Sequence, residues 1–248
     1  MLIEQAAYAN RWRRVSPAAK ASFALAGLVA AFVAATPAQA AGLALVLAVV
    51  ACSGAGVAPG LYLRVAAPAA GFLALSALTL LISLDVGADG AMAWRWAPEA
   101  LPRVQTLVAR SLAALAALLG LVLTTPLPDL IALLRRLGLP EVLLDLMVLC
   151  YRMLFVFSSA LQDTLTAQQA RLGYAGPRRS LRSLGLVAAN LAIQIWQRAD
   201  ALHRAALSRN GDGPLRVLTP HYAHARRDTA LALAAGATLI ALAAGALA

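Results

Sequence analysis

Five long apolar runs, broken by short polar stretches and by one long arginine-rich insert, constrain this chain more than any other feature. The runs are Ala21–Ala35, Ala41–Val57, Ala67–Leu84, Val104–Thr125 and Thr229–Ala248. A helix that crosses a hydrocarbon core of about 30 Å needs roughly 20 mostly apolar residues. In lipid, only a helix or a closed barrel satisfies every backbone polar group. With 61% of 248 residues apolar, 13% charged and a mean hydropathy of +0.75, the chain reads as an all-α integral membrane protein of about five transmembrane helices. A water-soluble globule, a disordered chain and a disulfide scaffold are all excluded. Cys52 and Cys150 each lie in an apolar stretch, where a thiol behaves as a small hydrophobe, and they form no CxxC pair.

The charge balance, 20 Arg and one Lys against 11 acids for a net +10, is informative through its distribution. Basic residues, Arg110 apart, avoid the apolar runs, as orientation in a membrane requires, and do not form the continuous stripe that a nucleic acid would need. Residues 1–20 carry +3, whereas the loop Asp85–Arg103 carries −1. The positive-inside rule therefore puts the amino terminus, Arg64 and the insert in the cytoplasm, and the acidic loop and carboxyl terminus outside. Ala38, Gln39 and Ala40 have the small-x-small form of a signal-peptidase site, but the polar lead is long and a second apolar run follows at once. A retained first helix, closed into a hairpin at Thr36 and Pro37, is the expected outcome.

The insert, Pro126–Asp228, holds 13 Arg and 7 acids. It divides the chain into membrane helices 1–125, a cytoplasmic or interfacial coupling domain 126–228, and a last transmembrane helix 229–248. Three amphipathic helices are expected in it. The first is Pro126–Leu137, closed by Gly138 and Pro140; the second is Glu141–Leu172; the third runs from Pro177 to about Asn210, before Gly211 and Gly213. Arg152 interrupts the interval between Asp145 and Asp163. Asn190, Gln194 and Gln197 interrupt that between Arg182 and Arg198, so neither long helix is expected to span the bilayer. Their apolar stripes, Leu143, Leu146, Met147, Cys150, Leu154 and Phe157 on one and Leu184, Val187, Leu191 and Ile195 on the other, predict packing faces. Arg178, Arg179, Arg182, Arg226 and Arg227 are expected at anionic headgroups. Arg110, near one end of the fourth run, is expected to snorkel to the interface.

Several chemistries find no support. There is no GxxxxGK[ST] loop, so ATP dependence would come from a partner. His221 and His224 form HxxH without the following Glu of a metalloprotease, and with His203 they are the only histidines, so no metal site and no cofactor bound by this chain is expected. No catalytic triad can be assembled from the scattered Ser, Asp and His residues. What does recur is the way the two long helices end: Ala170, Arg171, Leu172, Gly173 and Ser208, Arg209, Asn210, Gly211. Arg suits a helix carboxyl end through the macrodipole, and Gly173 and Gly211 are expected as helix-end caps in the left-handed conformation.

This arrangement of four spans, an arginine-rich insert of long helices and one final span resembles the transmembrane T component of energy-coupling factor transporters. The run QQARLGY, the string ALSRNG and the opening with Asn10, Arg11, Trp12, Ser16, Pro17 and Lys20 resemble its cobalt or nickel branch, the CbiQ family. The resemblance implies a non-catalytic subunit of an ATP-driven importer in the bacterial inner membrane. Two ATP-binding cassette subunits, which use ATP and magnesium, would be its partners, with a substrate-binding membrane subunit and a small accessory membrane subunit. It also implies that Ala170, Arg171, Leu172 and Ser208, Arg209, Asn210 dock into the ATPase subunits. Leu172 and Asn210 stand where relatives often have Gly. A self-sufficient permease would need polar groups converging inside the spans, and an intramembrane enzyme would need paired acids or His ligands there.

Overall fold

The computed structural model describes residues 2–86, 92–96, 100–208, 222 and 224–245. Their order is α1 Leu2–Ala9, a 3₁₀ turn Arg11–Arg14, α2 Pro17–Val33, α3 Pro37–Val49 with a π turn Val50–Gly54, and α4 Pro59–Leu81. Strands β1 Ile82–Val86 and β2 Met92–Trp96 follow, then α5 Leu101–Thr124, α6 Leu127–Arg136, α7 Glu141–Ala170, α8 Pro177–Ser208 and α9 Ala225–Ala243. The chain forms two compact units, Met1–Leu130 with Pro220–Ala248, and Ile131–Thr219.

Local chemistry starts these helices. Pro17, Pro37 and Pro59 occupy first-turn positions, where the missing N–H costs nothing. Ser16 Oγ accepts from the Ala19 amide, and Thr36 with Gln39 completes a reciprocal capping box. The string Ala38–Ala40 is thus the first turn of α3.

In the first unit α2 packs on α9, α5 and α3, and α3 packs on α5. The core is mostly alanine: Ala30, Ala31, Ala34, Ala40, Ala109, Ala113, Ala116 and Ala117 surround Leu43 and Leu47. Small side chains let helix backbones approach closely, which is the main source of helix association in lipid. A Cβ on Gly236 would stand 2.5 Å from Ala26 Cβ, so α9 sits as near to α2 as a glycine allows.

Four differences from expectation have physical causes. Arg64, expected in a loop, lies in the second turn of α4, because Pro59 starts that helix eight residues before the predicted run. The tail of the third run and part of the acidic loop form an antiparallel strand pair, Ile82 opposite Trp96 through Val86 opposite Met92; residues 87–91 and 97–99 lie outside the described residues. Arg110 has a protein partner that its place near a run end did not suggest: its guanidinium donates to the Ala34 carbonyl at 2.8 Å, at the carboxyl end of α2. Finally, four described helices are long and apolar enough to cross a membrane, Pro37–Gly54, Pro59–Leu81, Leu101–Thr124 and Glu141–Ala170. That set includes α7, which the charge spacing argued against, since a window of mean hydropathy 1.8 within it outweighs the charges it holds, Asp145 and Arg152. It omits α2, a shorter apolar helix of 17 residues, and α9, which opens with Arg226, Arg227 and Asp228.

Replacing Gly236 by Val should lower the melting temperature of the detergent-purified chain, at a cost of about 1–3 kcal/mol for overpacking the α2–α9 contact. Gly71→Ala in α4, where an added Cβ meets nothing within 4 Å, should leave it unchanged or slightly raised. Equal melting temperatures for wild type and Gly236→Val would show that the close approach is not needed for stability.

Candidate functional site

The α7–α8 corner carries the first arginine motif, and its geometry follows from the way α7 stops. Arg171 is the C-cap, with φ −89° and ψ 13°. The Leu172 amide donates to Gln169 O at 3.0 Å and the Gly173 amide to Gln168 O at 2.9 Å, the two bonds of a Schellman motif. Its left-handed position belongs to Leu172, at φ 53°, and not to Gly173, which sits one residue later. A left-handed leucine costs roughly 1–2 kcal/mol that a glycine would not incur.

Gly173 is held for a different reason. Ser183, buried in α8, donates from Oγ to the Gly173 carbonyl at 2.9 Å, and a Cβ on Gly173 would collide with that hydroxyl and stand 2.9 Å from Gln168 O. At the other side of the link both the amide and the hydroxyl of Ser180 donate to Gly176 O, at 2.8 and 2.9 Å. The link Arg171–Gly176 is therefore tied to both helices. Ala170, Arg171 and Leu172 are all exposed on it, Leu172 to 69%, and Arg171 makes no ion pair among the described residues. The second motif is described only at Ser208, an exposed residue whose hydroxyl donates to Ala205 O at 3.0 Å. Arg209, Asn210 and Gly211 lie outside the described residues, as does His221.

Within the same unit α7 packs on α8, burying Ala160 and Thr164 on one and Ser183 and Val187 on the other. A groove of about 440 Å³ lies between them, lined by Asp163 and Thr164 from α7 and by Gln194 and Arg198 from α8. The stripes expected to be packing faces are largely open: Leu143, Leu146, Leu154, Leu184 and Ile195 are 46–62% exposed. Leu144 and Val148 are the buried positions in the first half of α7.

Sequence reasoning missed the most connected polar cluster, which is in the other unit. Asn10 Nδ2 and Lys20 Nζ both donate to the Thr124 carbonyl, at 3.1 and 2.9 Å, capping the carboxyl end of α5. Arg13 pairs with Asp129, 4% exposed in the first turn of α6, at 2.7 Å, and its guanidinium stacks 4.8 Å from the Tyr8 ring centroid. Burial pushes the Tyr8 hydroxyl pKa up, against the pull of Arg13. The Arg11 amide donates to Ala55 O at 2.9 Å, and Gly54 and Gly56 (φ 74°) leave room for the Trp12 and Arg11 side chains. Asn10 and Trp12 drew notice in sequence only through resemblance, and Lys20 otherwise only as one charge of the basic start. The pairing of Arg13 with a residue 116 positions away had no local signal.

Among the described residues no group of three His, Cys, Asp or Glu side chains is placed to hold a metal ion. Residues 9–220 match the family described as cobalt transport protein, CbiQ, so the chain belongs to that family. It is 38% identical over 149 residues to the cobalt transport protein CbiQ of Rhodobacter capsulatus, covering 60% of this chain and 59% of that protein. The CbiQ protein of Salmonella typhimurium is 29% identical over 204 residues, 79% of this chain and 90% of that one. A putative fused cobalt transport protein CbiMQ of Methanocorpusculum labreanum is 31% identical over 130 residues, 52% of this chain and 22% of that one. Family and apolar helices together make this a multi-pass membrane component of a cobalt-transport family.

Two substitutions separate the roles at the corner. Leu172→Gly should stabilise it by about 0.5 kcal/mol, the left-handed penalty less the extra freedom of an unfolded glycine, and slow amide exchange at Gly173. Gly173→Val should do the reverse by about 1–3 kcal/mol and speed proteolysis within 171–176. Exchange rates unaffected by either change would mean the corner is not held as described.

Proposed function

We propose that this chain is the membrane scaffold and coupling subunit of an ATP-driven importer for cobalt or nickel. In this reading it has no catalytic site and binds no cofactor. Two ATP-binding cassette subunits hydrolyse ATP with magnesium, and the chain passes their motion to a substrate-binding membrane subunit, with a small accessory membrane subunit as a further partner. The observation that carries the reading is an exposed Arg171, without an ion pair among the described residues, on a corner braced at both sides, in a chain of the cobalt transport family. A planar guanidinium offers five donors in a fixed fork and stays charged when desolvated, which suits it to anchor one subunit to another. Arg209, in the matching string at the end of α8, is the second anchor, with Ala170 and Leu172, and Ser208 and Asn210, flanking the two.

The open apolar stripes of α7 and α8 support a membrane-embedded neighbour on these helices, and the fused relative supports a second membrane subunit beside this one. Charge also argues for α7 as a cytosolic lever despite its length. Arg135 and Arg136 precede it, while Arg171, Arg178, Arg179 and Arg182 follow, so a crossing would put one basic group outside. With α2, α3, α4, α5 and α9 as the spans, the amino terminus and the coupling domain face the cytoplasm of the bacterial inner membrane and the carboxyl terminus faces outward.

Arg171→Ala together with Arg209→Ala should leave the chain folded in membranes, abolish metal uptake and weaken capture of the ATPase subunits. Each desolvated charged anchor is worth about 2–4 kcal/mol. Copurification from mild detergent checks this: a double variant that still retains the ATPase subunits and transports normally overturns the coupling role.

A further inference from the structure

The face of α8 turned away from α7 carries a second, separate pattern. The α7 side of α8 holds Ser183, Val187, Gln194 and Arg198. Roughly opposite on the helix, at spacings of three, four and seven, lie Arg178, Arg182, Leu186, Ile193 and Trp196, with Arg179 beside them. All are exposed, Leu186 to 51%, Ile193 to 57% and Trp196 to 78%. This face is distinct from the stripe Leu184, Leu191 and Ile195.

Among the described residues its arginines have no acidic partner. Between Asp163 and Asp200 the chain has five arginines and no acid. Arg178, Arg179 and Arg182 crowd the amino end of a 32-residue helix whose first turn holds no acid, although that end of the macrodipole favours anions. None of the three makes an ion pair among the described residues. Farther along, the acid on this face, Asp200, is already bonded to Arg204 at 2.6 Å.

We infer that the amino-terminal part of α8, Pro177–Trp196, lies on an anionic lipid surface, with Arg178, Arg179 and Arg182 on headgroup phosphates and Leu186, Ile193 and Trp196 sunk at the acyl boundary. Charge complementarity commits the face to that occupant. Basic side chains beside large apolar ones are the composition of an interfacial helix, and a tryptophan ring, apolar with one N–H, suits the headgroup level. Each arginine near such a surface is worth about fivefold in local lipid preference, and the effect is screened by salt. The inference holds independently of the ATPase docking of Arg171.

The test uses the full chain in nanodiscs of phosphatidylcholine doped with brominated phosphatidylglycerol or, separately, with brominated phosphatidylcholine. Subtracting the emission of Trp196→Phe isolates Trp196 from Trp12, Trp94 and Trp96. Brominated phosphatidylglycerol should quench that signal at least about threefold more strongly than brominated phosphatidylcholine, with the preference falling in high salt. A triple variant Arg178→Gln, Arg179→Gln and Arg182→Gln should lose it. Equal quenching by the two lipids overturns the proposal. So does quenching by neither, which would leave the face to a protein partner, or a preference that persists in the triple variant. Should that variant fail to fold, the lipid comparison and salt dependence of the wild type still decide.

Discussion

A carbonyl at the end of a helix has no partner within the helix, and inside an apolar slab it has no water either. The first unit meets this constraint with cations exchanged between two antiparallel helices. Lys20, at the start of α2, donates to Thr124 O at the end of α5, and Arg110 of α5 donates to Ala34 O at the end of α2. Each charge lies where the partner's macrodipole is negative, so both burials are compensated twice, by a hydrogen bond and by the helix field. The alanine core depends on this arrangement. Close backbone approach through side chains of one carbon draws the helices together, and two fixed ends hold them in register.

The amino-terminal segment extends the same logic. Asn10 joins Lys20 on Thr124 O, and Arg13 reaches Asp129 in the first turn of α6. A 3₁₀ turn between them seats Trp12 and Arg11 against glycines at the end of the π turn. Residues that look in sequence like a polar leader are thus structural, closing the ends of α5 and α3. Asp129 loses its hydration to this contact, and Arg13 is what makes its burial tolerable.

Helices were the most legible part of the sequence, because an apolar run bounded by Pro, Ser or Thr leaves few alternatives. The starts at Glu141 and Pro177 needed only the cap chemistry at hand. Less was legible where two distant segments meet. Arg110 looked like a charge near a membrane end because the carbonyl it caps is 76 residues away. The stripe at Leu143 and Leu146 has correct helical spacing, yet spacing does not tell which stripe is covered, and Leu144 and Val148 are the buried pair. At the α7 end, glycine was assigned the left-handed role because it is the residue type that most often takes it. The helix stops earlier than expected, at Ala170 with Arg171 as its cap, which shifts that role to Leu172, a difference that only backbone hydrogen bonding reveals.

The left-handed backbone at Leu172 also sets what the position tolerates. Gly relieves the conformation, and Asn or Asp can enter it through short polar side chains, whereas Val, Ile and Thr meet their own branched carbons against the backbone. Tolerance there follows branching at the β carbon and not polarity: Gly, Asn and Asp are admitted, whereas Val, Ile and Thr are disfavoured. A library at this codon, ranked by expression alone, would sort by torsion angle before it sorted by chemistry.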